Sequence, residues 1–577
     1  MNFFNRCITI LALLLIGMLP PLCLLAQDFK GVQLHGSIQT EFLLPEEDDK
    51  IGTEPPSSFL LNNTYLDLNL TSRFVDAGAR FEYLQYPLPG FESGFKGWGV
   101  PHVYAKGKLN GVELTAGDFY EQFGSGFILR TYEERSLGID NALRGARLKV
   151  NSIKGIRLTA LGGVQRTYWQ WDTDSHIYGA DAEMDINEYW NRLEEKNIHW
   201  TLGSSWVLKD EDKITDNYGK VFVPGTTQYL NMPRYVNAFD ARTEFHQQNV
   251  TIFAEYARKS QDPSADNSYT FHRGSAALIS ASYSQKGFSA LVQAKRSEDM
   301  AFRSHRGMLG TAGFLGHMPP FSYQHTYALP ALYPYATRYC NINSDGTQLV
   351  PGEWAFQGEV AYNFKRQTAL GGKYGTKIKA NISHIRGLDA TPCAAYNEYL
   401  YGTDGYASSF FGMSEEPFYQ DFNLQFEKKL TKNFKFNLMY MNQIYNQTVV
   451  EGHGGTIHAN IFVAEGKYAF SSSTILRGEM QYLSTRHESG DWMYGLLELS
   501  LQPHFMFTVS DMYGRPYLNG IYSQKEHYYQ GCITYSQGAH RLMAGYGRTR
   551  AGYNCSGGVC RWVPAHKGFQ VTYNYTF

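Results

Sequence analysis

The chain has 577 residues, 15% of them aromatic and 42 of them tyrosine, and its formal net charge at pH 7 is −2. This near-neutral charge provides no basic patch for nucleic acid, and acidic and basic residues are interspersed, which excludes a charged interaction tail. Beyond residue 26 no apolar run reaches the roughly 18 residues of a membrane-spanning helix. The mean hydropathy of −0.37 shows that the chain is polar on average.

The first 26 residues are typical of a secretory signal peptide. Arg6 carries its positive charge, residues 8–16 form an apolar run, and Ala26 precedes the predicted cleavage point. Cys23 raises the alternative of a lipoprotein signal, but Leu22 stands where that signal needs a small residue. We therefore predict a signal peptide over residues 1–26 and one domain over residues 27–577.

The exported part of the chain alternates apolar and polar residues. Near its start, Leu66, Leu68 and Leu70 alternate with polar or tyrosine residues. The same pattern recurs around residues 198–206, 250–256, 288–295, 421–427, 434–440 and 505–510. Because successive strand residues point to opposite faces, this alternation predicts half-buried β-strands.

Connections between these segments alternate between short and long. Short Gly/Asn/Ser turns lie at residues 109–111, 151–155, 247–249, 284–287, 431–433 and 536–539, and long loops at 46–59, 87–100, 121–142, 208–233, 300–353, 390–419 and 552–565. Short periplasmic turns and long extracellular loops are typical of bacterial outer-membrane barrels. The pattern predicts an all-β fold, a large antiparallel transmembrane β-barrel of about 24 strands (22–26) in the outer membrane of a Gram-negative cell. The alternative, a soluble all-β sandwich or propeller, does not explain the signal peptide or the alternation of turns and loops.

The chain ends on an aromatic strand, in which Tyr573, Tyr575 and Phe577 alternate with polar residues. In a soluble protein such an edge would invite aggregation. We interpret these three residues as an assembly signal, with outer-membrane lipid and the barrel-assembly machinery as the expected partners.

One segment, residues 117–145, breaks the alternation and is rich in glycine and in both signs of charge. We predict that it folds into the lumen near residues 121–142, since rings of charged side chains set pore selectivity. Its candidate constriction residues are Asp118, Glu121, Arg130, Glu133, Glu134, Arg135 and Arg144. An ordinary salt-bridged loop is the equally weighted alternative.

The size of the barrel also bears on its lumen. Barrels of about 22 strands are plugged, so an open lumen of about 24 strands would leak. We expect long loops to fill the lumen, and the best candidates are residues 121–142 and 300–353. The second loop is aromatic and proline-stiffened, and it either caps the pore or stacks on flat ligands. A TonB-dependent receptor would need an N-terminal plug domain, whereas alternation begins soon after Asp28.

The cysteines suggest disulfides in an oxidising compartment. Cys555 and Cys560 enclose a short flexible ring, and Cys340 and Cys393 lie in two neighbouring long loops. Zinc at the first pair is a weaker alternative, because no second ligand pair completes a four-ligand set. Cys532 is predicted to be a small filler on a strand face.

Enzymatic signals are weak. Gly124-Ser125-Gly126 is too short for a nucleophile elbow, and His305, His317 and His325 lack metal-ligand spacing. We predict no catalytic residues, no metal and no cofactor.

Three stretches resemble an uncharacterised porin-like outer-membrane family of the Bacteroidota. They are residues 117–126 running on to 132–140, residues 324–327 with 332–335, and residues 561–565. The resemblance implies a fold and a location, but no activity. Two hypotheses follow: passive passage of small solutes through a loop-constricted lumen, or a closed surface-binding or scaffold barrel, including a secretion-machine component, that engages an unknown partner through loops such as 300–353.

Overall fold

Every alternating segment above forms a β-strand in the computed structural model. The structure describes residues 31–53, 58–211, 221–222, 227–310, 312–318, 320–342, 348–393, 400–556 and 559–577. The predicted signal peptide therefore lies outside the described residues. The predicted count of 24 strands and the antiparallel barrel are confirmed.

The strands of the wall follow one another in chain order. They are β1 (Val32–Glu46), β2 (Leu61–Ser72), β3 (Val75–Leu84), β4 (Gly97–Leu109), β5 (Val112–Phe119), β6 (Leu143–Ile153), β7 (Ile156–Thr167), β8 (Gln170–Asp185), β9 (Ile198–Glu211), β10 (Tyr235–Gln247), β11 (Val250–Gln261), β12 (Arg273–Gln285), β13 (Phe288–Glu298), β14 (Gly352–Phe364), β15 (Thr376–Pro392), β16 (Tyr406–Lys429), β17 (Phe434–Asn446), β18 (Thr456–Ala469), β19 (Thr474–Thr485), β20 (Trp492–Leu501), β21 (Phe505–Gly514), β22 (Glu526–Gln537), β23 (His540–Thr549) and β24 (His566–Thr576). Each pairs antiparallel with its sequence neighbours.

The first and last strands close the wall. β1 pairs with β24 from Ser37↔Thr576 to Glu46↔Lys567. At the end of this seam, Gly36 and Phe577 exchange two backbone hydrogen bonds of 3.0 Å. A side chain at Gly36 would meet the Phe577 ring at 2.7 Å, so the terminal aromatic ring needs glycine opposite it. Closure leaves the 24-stranded wall without a free edge.

The wall has two different rims. The predicted short turns all lie on one rim, which we call the short-turn rim, together with the start of β1; the other is the long-loop rim. Small elements lie in the connections between wall strands, at the rims or inside the lumen. They are α1 (Asn191–Glu195), α2 (Gln447–Glu451), 3-10 turns at Asp49–Ile51, Ser93–Phe95, Arg135–Leu137, Ile186–Glu188, Ala265–Asn267 and Pro330–Leu332, and two-stranded ribbons pairing Glu133–Glu134 with Ile139–Asp140, Asn341–Ile342 with Leu349–Val350, Tyr517–Leu518 with Ile521–Tyr522, and Gly552–Ser556 with Val559–Val563.

One long loop is shorter than predicted. β15 extends to Pro392 and β16 begins at Tyr406, so much of residues 390–419 is strand. Register shifts between Ile385 and Ala390 interrupt this pairing. Such irregularities break the period-two pattern, which is why alternation did not reveal the strands.

The outer face of the wall is apolar. Its exposed side chains on strands include Leu114, Leu148, Ile252, Val292, Ile382, Leu438, Phe462, Met480, Leu497 and Val509. A continuous apolar surface of this extent is typical of contact with lipid. Among the described residues, no helix is long and apolar enough to cross a bilayer.

The lumen contains two hydrophobic clusters. One joins Phe123, Phe127, Ile128 and Leu129 to inward residues of β6–β12. The other joins Phe321, Leu329, Leu332, Tyr333, Tyr335 and Val350 to inward residues of β14–β22, among them Tyr419, Met441 and Ile461. The lumen is therefore filled in these regions by chain from the long-loop rim.

Candidate functional site

Two segments fold from the long-loop rim into the lumen. The first in-folded segment is residues 120–142, and the second is the described part of residues 299–351. In the first, Gly124 and Gly126 have φ of +51° and +97°, a region that favours glycine. A side chain at Gly124 would meet the Glu255 carboxylate of the wall at 2.6 Å. The turn can therefore lie directly against the barrel.

The two in-folded segments hydrogen-bond to each other. The Arg130 backbone N–H donates to the Leu315 carbonyl at 2.6 Å, and the His317 N–H donates to the Gly126 carbonyl at 2.9 Å. The Asn141 side chain donates to the Phe314 carbonyl at 2.8 Å. Because these bonds lie away from water, they join the two segments into one body.

A buried ion-pair network holds the first segment to the wall. We call it the latch: Asp67, Arg80, Glu82, Glu133, Arg135, Asp140 and Arg166. Arg80 of β3 is at its centre, with an exposed side-chain fraction of 8%. Its guanidinium lies 2.8 Å from Asp67, 2.9 Å from Glu133 and 3.1 Å from Asp140. One arginine of the wall thus contacts two carboxylates of the in-folded segment.

Arg135 makes the reciprocal contacts from the in-folded segment. Its guanidinium lies 2.6 Å from Glu133 and 2.8 Å from Asp67 of β2. It also lies 4.5 Å above the Tyr65 ring, a favourable cation–π arrangement. Asp67 therefore binds one arginine from the wall and one from the segment.

Arg166 of β7 completes the latch. It pairs with Glu82 of β3 at 2.9 Å and also with Asp140. The Tyr120 hydroxyl donates to Asp140 at 2.9 Å. Because the Arg166 side chain is only 1% exposed, removing one partner would leave a buried charge uncompensated.

The latch brings three carboxylates together, and they are bound by arginine. Oxygens of Glu82, Glu133 and Asp140 lie within 4.8 Å of one another. Arg80 and Arg166 supply compensating positive charge, so the arrangement works as an ion-pair cluster. Burial raises the pKa of the Glu133 carboxyl above its usual value, against the opposing effect of Arg80.

Three other predicted constriction residues lie in the first segment but outside the latch. Glu121 pairs with Arg147 at 3.0 Å and Lys149 at 2.7 Å, both on β6. The Arg130 guanidinium lies 5.1 Å above the Tyr132 ring. Glu134 accepts hydrogen bonds from Ser136 at 2.7 Å and Ser556 at 2.9 Å.

Asp118 and Arg144 point the other way. They pair at 2.8 Å across β5 and β6, while their strand neighbours Phe119 and Leu143 enter the lumen cluster. Because alternate residues face opposite sides, this pair lies on the outer face of the wall. The structure therefore does not bring it together with the other five predicted residues.

The second in-folded segment touches the opposite wall. The His325 ring lies 2.6 Å from Asp421 of β16. The Tyr327 hydroxyl donates to Glu465 of β18 at 3.1 Å, and the Leu329 N–H donates to Gln481 of β19 at 2.8 Å. Its contacts therefore run across three different strands.

The second segment also covers charged wall residues. Lys295 of β13 and Glu353 of β14 pair at 3.1 Å with exposed fractions of 1% and 0%. Tyr335 of the segment donates to Glu353 at 2.6 Å. Burial raises the pKa of the Tyr335 hydroxyl well above its usual range. The second segment therefore shields this ion pair from solvent.

One predicted disulfide is confirmed and one is corrected. Cys555 and Cys560 are bonded in the ribbon that contacts Glu134. Cys340 and Cys393 are not joined, because Cys340 is buried in a cluster with Leu400 and Tyr406 while Cys393 is exposed. Cys532 is a free cysteine of intermediate burial.

The wall residues of the latch were missed by the sequence analysis. Arg80 and Glu82 lie two residues apart on β3 and so share its inner face. A close pair of opposite charges on the inward face was the available signal. No sequence signal pointed to Arg166, because its role depends on contact with Glu82, which lies 84 residues earlier in the chain.

Residues 4–577 match the model of a family described as a family of unknown function (DUF6029). The chain belongs to this family. No curated protein matches it.

Solved structures resembling this chain include the siderophore receptor PirA from Pseudomonas aeruginosa, with 9% identity over 94% of this chain and 80% of that one and a TM-score of 0.38. The P pilus usher PapC translocation pore has 8% identity over 94% and 99%, with a TM-score of 0.38. OccAB3 from Acinetobacter baumannii has 10% identity over 95% and 99%, with a TM-score of 0.34. At these TM-scores the likenesses carry no argument about function.

Proposed function

We propose that this protein is an outer-membrane transport barrel for passive passage of small solutes, and that the latch sets how often its constricted lumen opens. The observation that carries the proposal is the attachment of Glu133, Arg135 and Asp140 to wall residues by ion pairs. Ion pairs are a suitable fastening for a movable element, because water solvates the separated charges once they part.

The proposal also includes a location in the outer membrane. The apolar outer face supports contact with outer-membrane lipid. The closing strand that ends at Phe577 supports recognition by barrel-assembly machinery. We further propose that the signal peptide is cleaved, that the protein comes from a member of the Bacteroidota, and that it has no enzymatic role.

Conductance in planar bilayers tests this function. We expect rare, small openings from the wild-type chain, and more frequent openings from Glu133→Ala and Arg135→Ala. A complete lack of conductance at every voltage, in the wild type and in both variants, would refute the proposal.

The second candidate is a closed surface-binding or scaffold barrel. The burial of Lys295 and Glu353 beneath the second segment favours it, since a permanent plug has no need to move. A partner that co-purifies with the wild type, and is lost when the ribbon at residues 341–350 is shortened, would support this candidate. A partner-free chain with open-pore conductance would contradict it.

A further inference from the structure

A small cavity lined by both aromatic and charged residues lies at the long-loop rim and shares no lining residue with the latch. Its volume is about 70 Å³. About 10–15 Å³ is enough for one water, so it has room for a group the size of a carboxylate or phosphate. Trp492, Arg515 and Arg550 line it, together with the rings of Tyr333 and Tyr522.

Two buried donors at this cavity have no acceptor. Trp492 is 3% exposed, and its indole Nε1 has no hydrogen-bond partner among the described residues. The Nε of Arg515 is likewise buried and without a partner in the described chain. An unsatisfied buried donor costs about 1–3 kcal/mol, and native proteins contain few of them. Two at one cavity indicate that an acceptor belongs there.

The cavity also has an excess of positive charge. In the described part of the chain neither Arg515 nor Arg550 forms an ion pair with a carboxylate, and Arg515 donates to the backbone carbonyl of Glu488 at 3.4 Å. Arg550 donates to the Ala551 carbonyl at 2.8 Å. Glu451 is the one carboxylate in the described lining, and it is already bound by Tyr445 at 2.8 Å and Gln447 at 3.1 Å. Two guanidinium groups against one carboxylate leave a charge of +1.

Two glycines make room for these donors. A side chain at Gly514 would meet the Trp492 ring at 2.0 Å, and one at Gly552 would meet the Arg550 guanidinium at 2.3 Å. Any larger residue would displace the indole or the guanidinium. The position of the rigid indole therefore depends on glycine at 514, whereas the flexible Arg550 side chain could move away from a larger residue at 552.

We propose that this cavity binds the oxyanion group, a carboxylate or a phosphate, of a small solute from the long-loop side. The Arg550 and Arg515 guanidinium groups and the Trp492 indole N–H donate to its oxygens. Charge-assisted hydrogen bonds of this kind are about twice as strong as neutral ones. A cleft of about 730 Å³ also has Tyr553 in its lining, and we assign the rest of the solute to it. This site is independent of whether the barrel conducts.

Calorimetric titration of the full chain in detergent tests the proposal, with inorganic phosphate and acetate as probes and glucose as the neutral control. We expect saturable binding of at least one anion and none of glucose. Arg550→Gln should weaken binding at least tenfold, and Trp492→Phe, which keeps an aromatic ring, about five- to tenfold. Arg541→Gln is the matched control, because Arg541 is exposed at the short-turn end of β23, the strand that Arg550 directly follows at the long-loop rim.

The outcomes are distinct. Preference for phosphate or for acetate identifies the oxyanion, and either supports the site. If neither anion binds the wild type saturably, or if Trp492→Phe and a folded Arg550→Gln both bind as the wild type does, the proposal is overturned. Should Arg550→Gln fail to assemble, Trp492→Phe alone decides. Anion binding without conductance would contradict the transport function and leave this site standing.

Discussion

The substitution Arg135→Ala tests the latch most sharply. It removes ion pairs of 2.6 Å to Glu133 and 2.8 Å to Asp67, and the cation–π contact with Tyr65. Both carboxylates keep Arg80, at 2.9 and 2.8 Å, and Arg135 is 18% exposed. The substitution should therefore cost about 3 kcal/mol of the free energy that holds the first in-folded segment to the wall, which is the lower end of the range for breaking a buried pair.

That energy predicts a large change in opening. Every 1.4 kcal/mol is a factor of ten in an equilibrium constant, so 3 kcal/mol corresponds to roughly a 100-fold rise in the ratio of released to latched segment. Single-channel recording in planar bilayers measures this as open probability. Conductance per opening should change much less, because the width of the barrel is unchanged.

Arg144→Ala is the matched control for this experiment. It also removes an arginine that lies 2.8 Å from a buried aspartate, but that pair is on the outer face of the wall. We expect wild-type open probability in this variant. Equal open probabilities in Arg135→Ala, Arg144→Ala and the wild type, with all three chains assembled, would refute the latch.

Three further predictions concern assembly, pH and cysteine chemistry. Deleting Phe577 removes both hydrogen bonds to Gly36, so the assembled fraction on unheated gels should fall while conductance per channel stays unchanged; a normal assembled fraction would contradict this. Burial raises the pKa of Asp299 to about 6 from 3.8, so its contribution to stability is fully present below pH 3.8 and is lost as the pH rises to 6. Asp299→Asn should therefore raise the free energy of unfolding by up to about 3 kcal/mol at pH 7.5 and by little at pH 3.5. Equal shifts in unfolding temperature at both pH values would count against this reasoning. Alkylation of the native chain should label exposed Cys393 before buried Cys340, and Cys555 and Cys560 only after reduction; rapid labelling of Cys340 would show that its cluster is open.

The wall was predictable from the sequence because alternation is a local property. Leu66, Leu68 and Leu70 alternate with Asp67 and its neighbours whatever the rest of the chain does, and the structure turns Asp67 inward to the latch. Residues 390–419 show the limit of this signal, since the register shifts in β15 remove the period on which the prediction depends.

The contents of the lumen were only partly predictable. Glycine and charge marked residues 121–142, and they directed attention to Glu133 and Arg135. Their wall partners, Arg80 for Glu133 and Asp67 for Arg135, lie more than 50 residues away in sequence, so only closure of the barrel brings them together. The same is true of the cavity at Trp492, where loops from five parts of the chain meet.

Cross-linking between the second in-folded segment and the wall tests the central claim, that chain from the long-loop rim occupies the lumen. The Leu329 backbone lies 2.8 Å from the Gln481 side chain, so Leu329→Cys and Gln481→Cys, in a background without free cysteines, should be joined by a short bismaleimide in the assembled barrel. Mass spectrometry should then find one peptide that links positions 329 and 481. An assembled barrel in which both cysteines react separately and no such peptide forms would contradict the account.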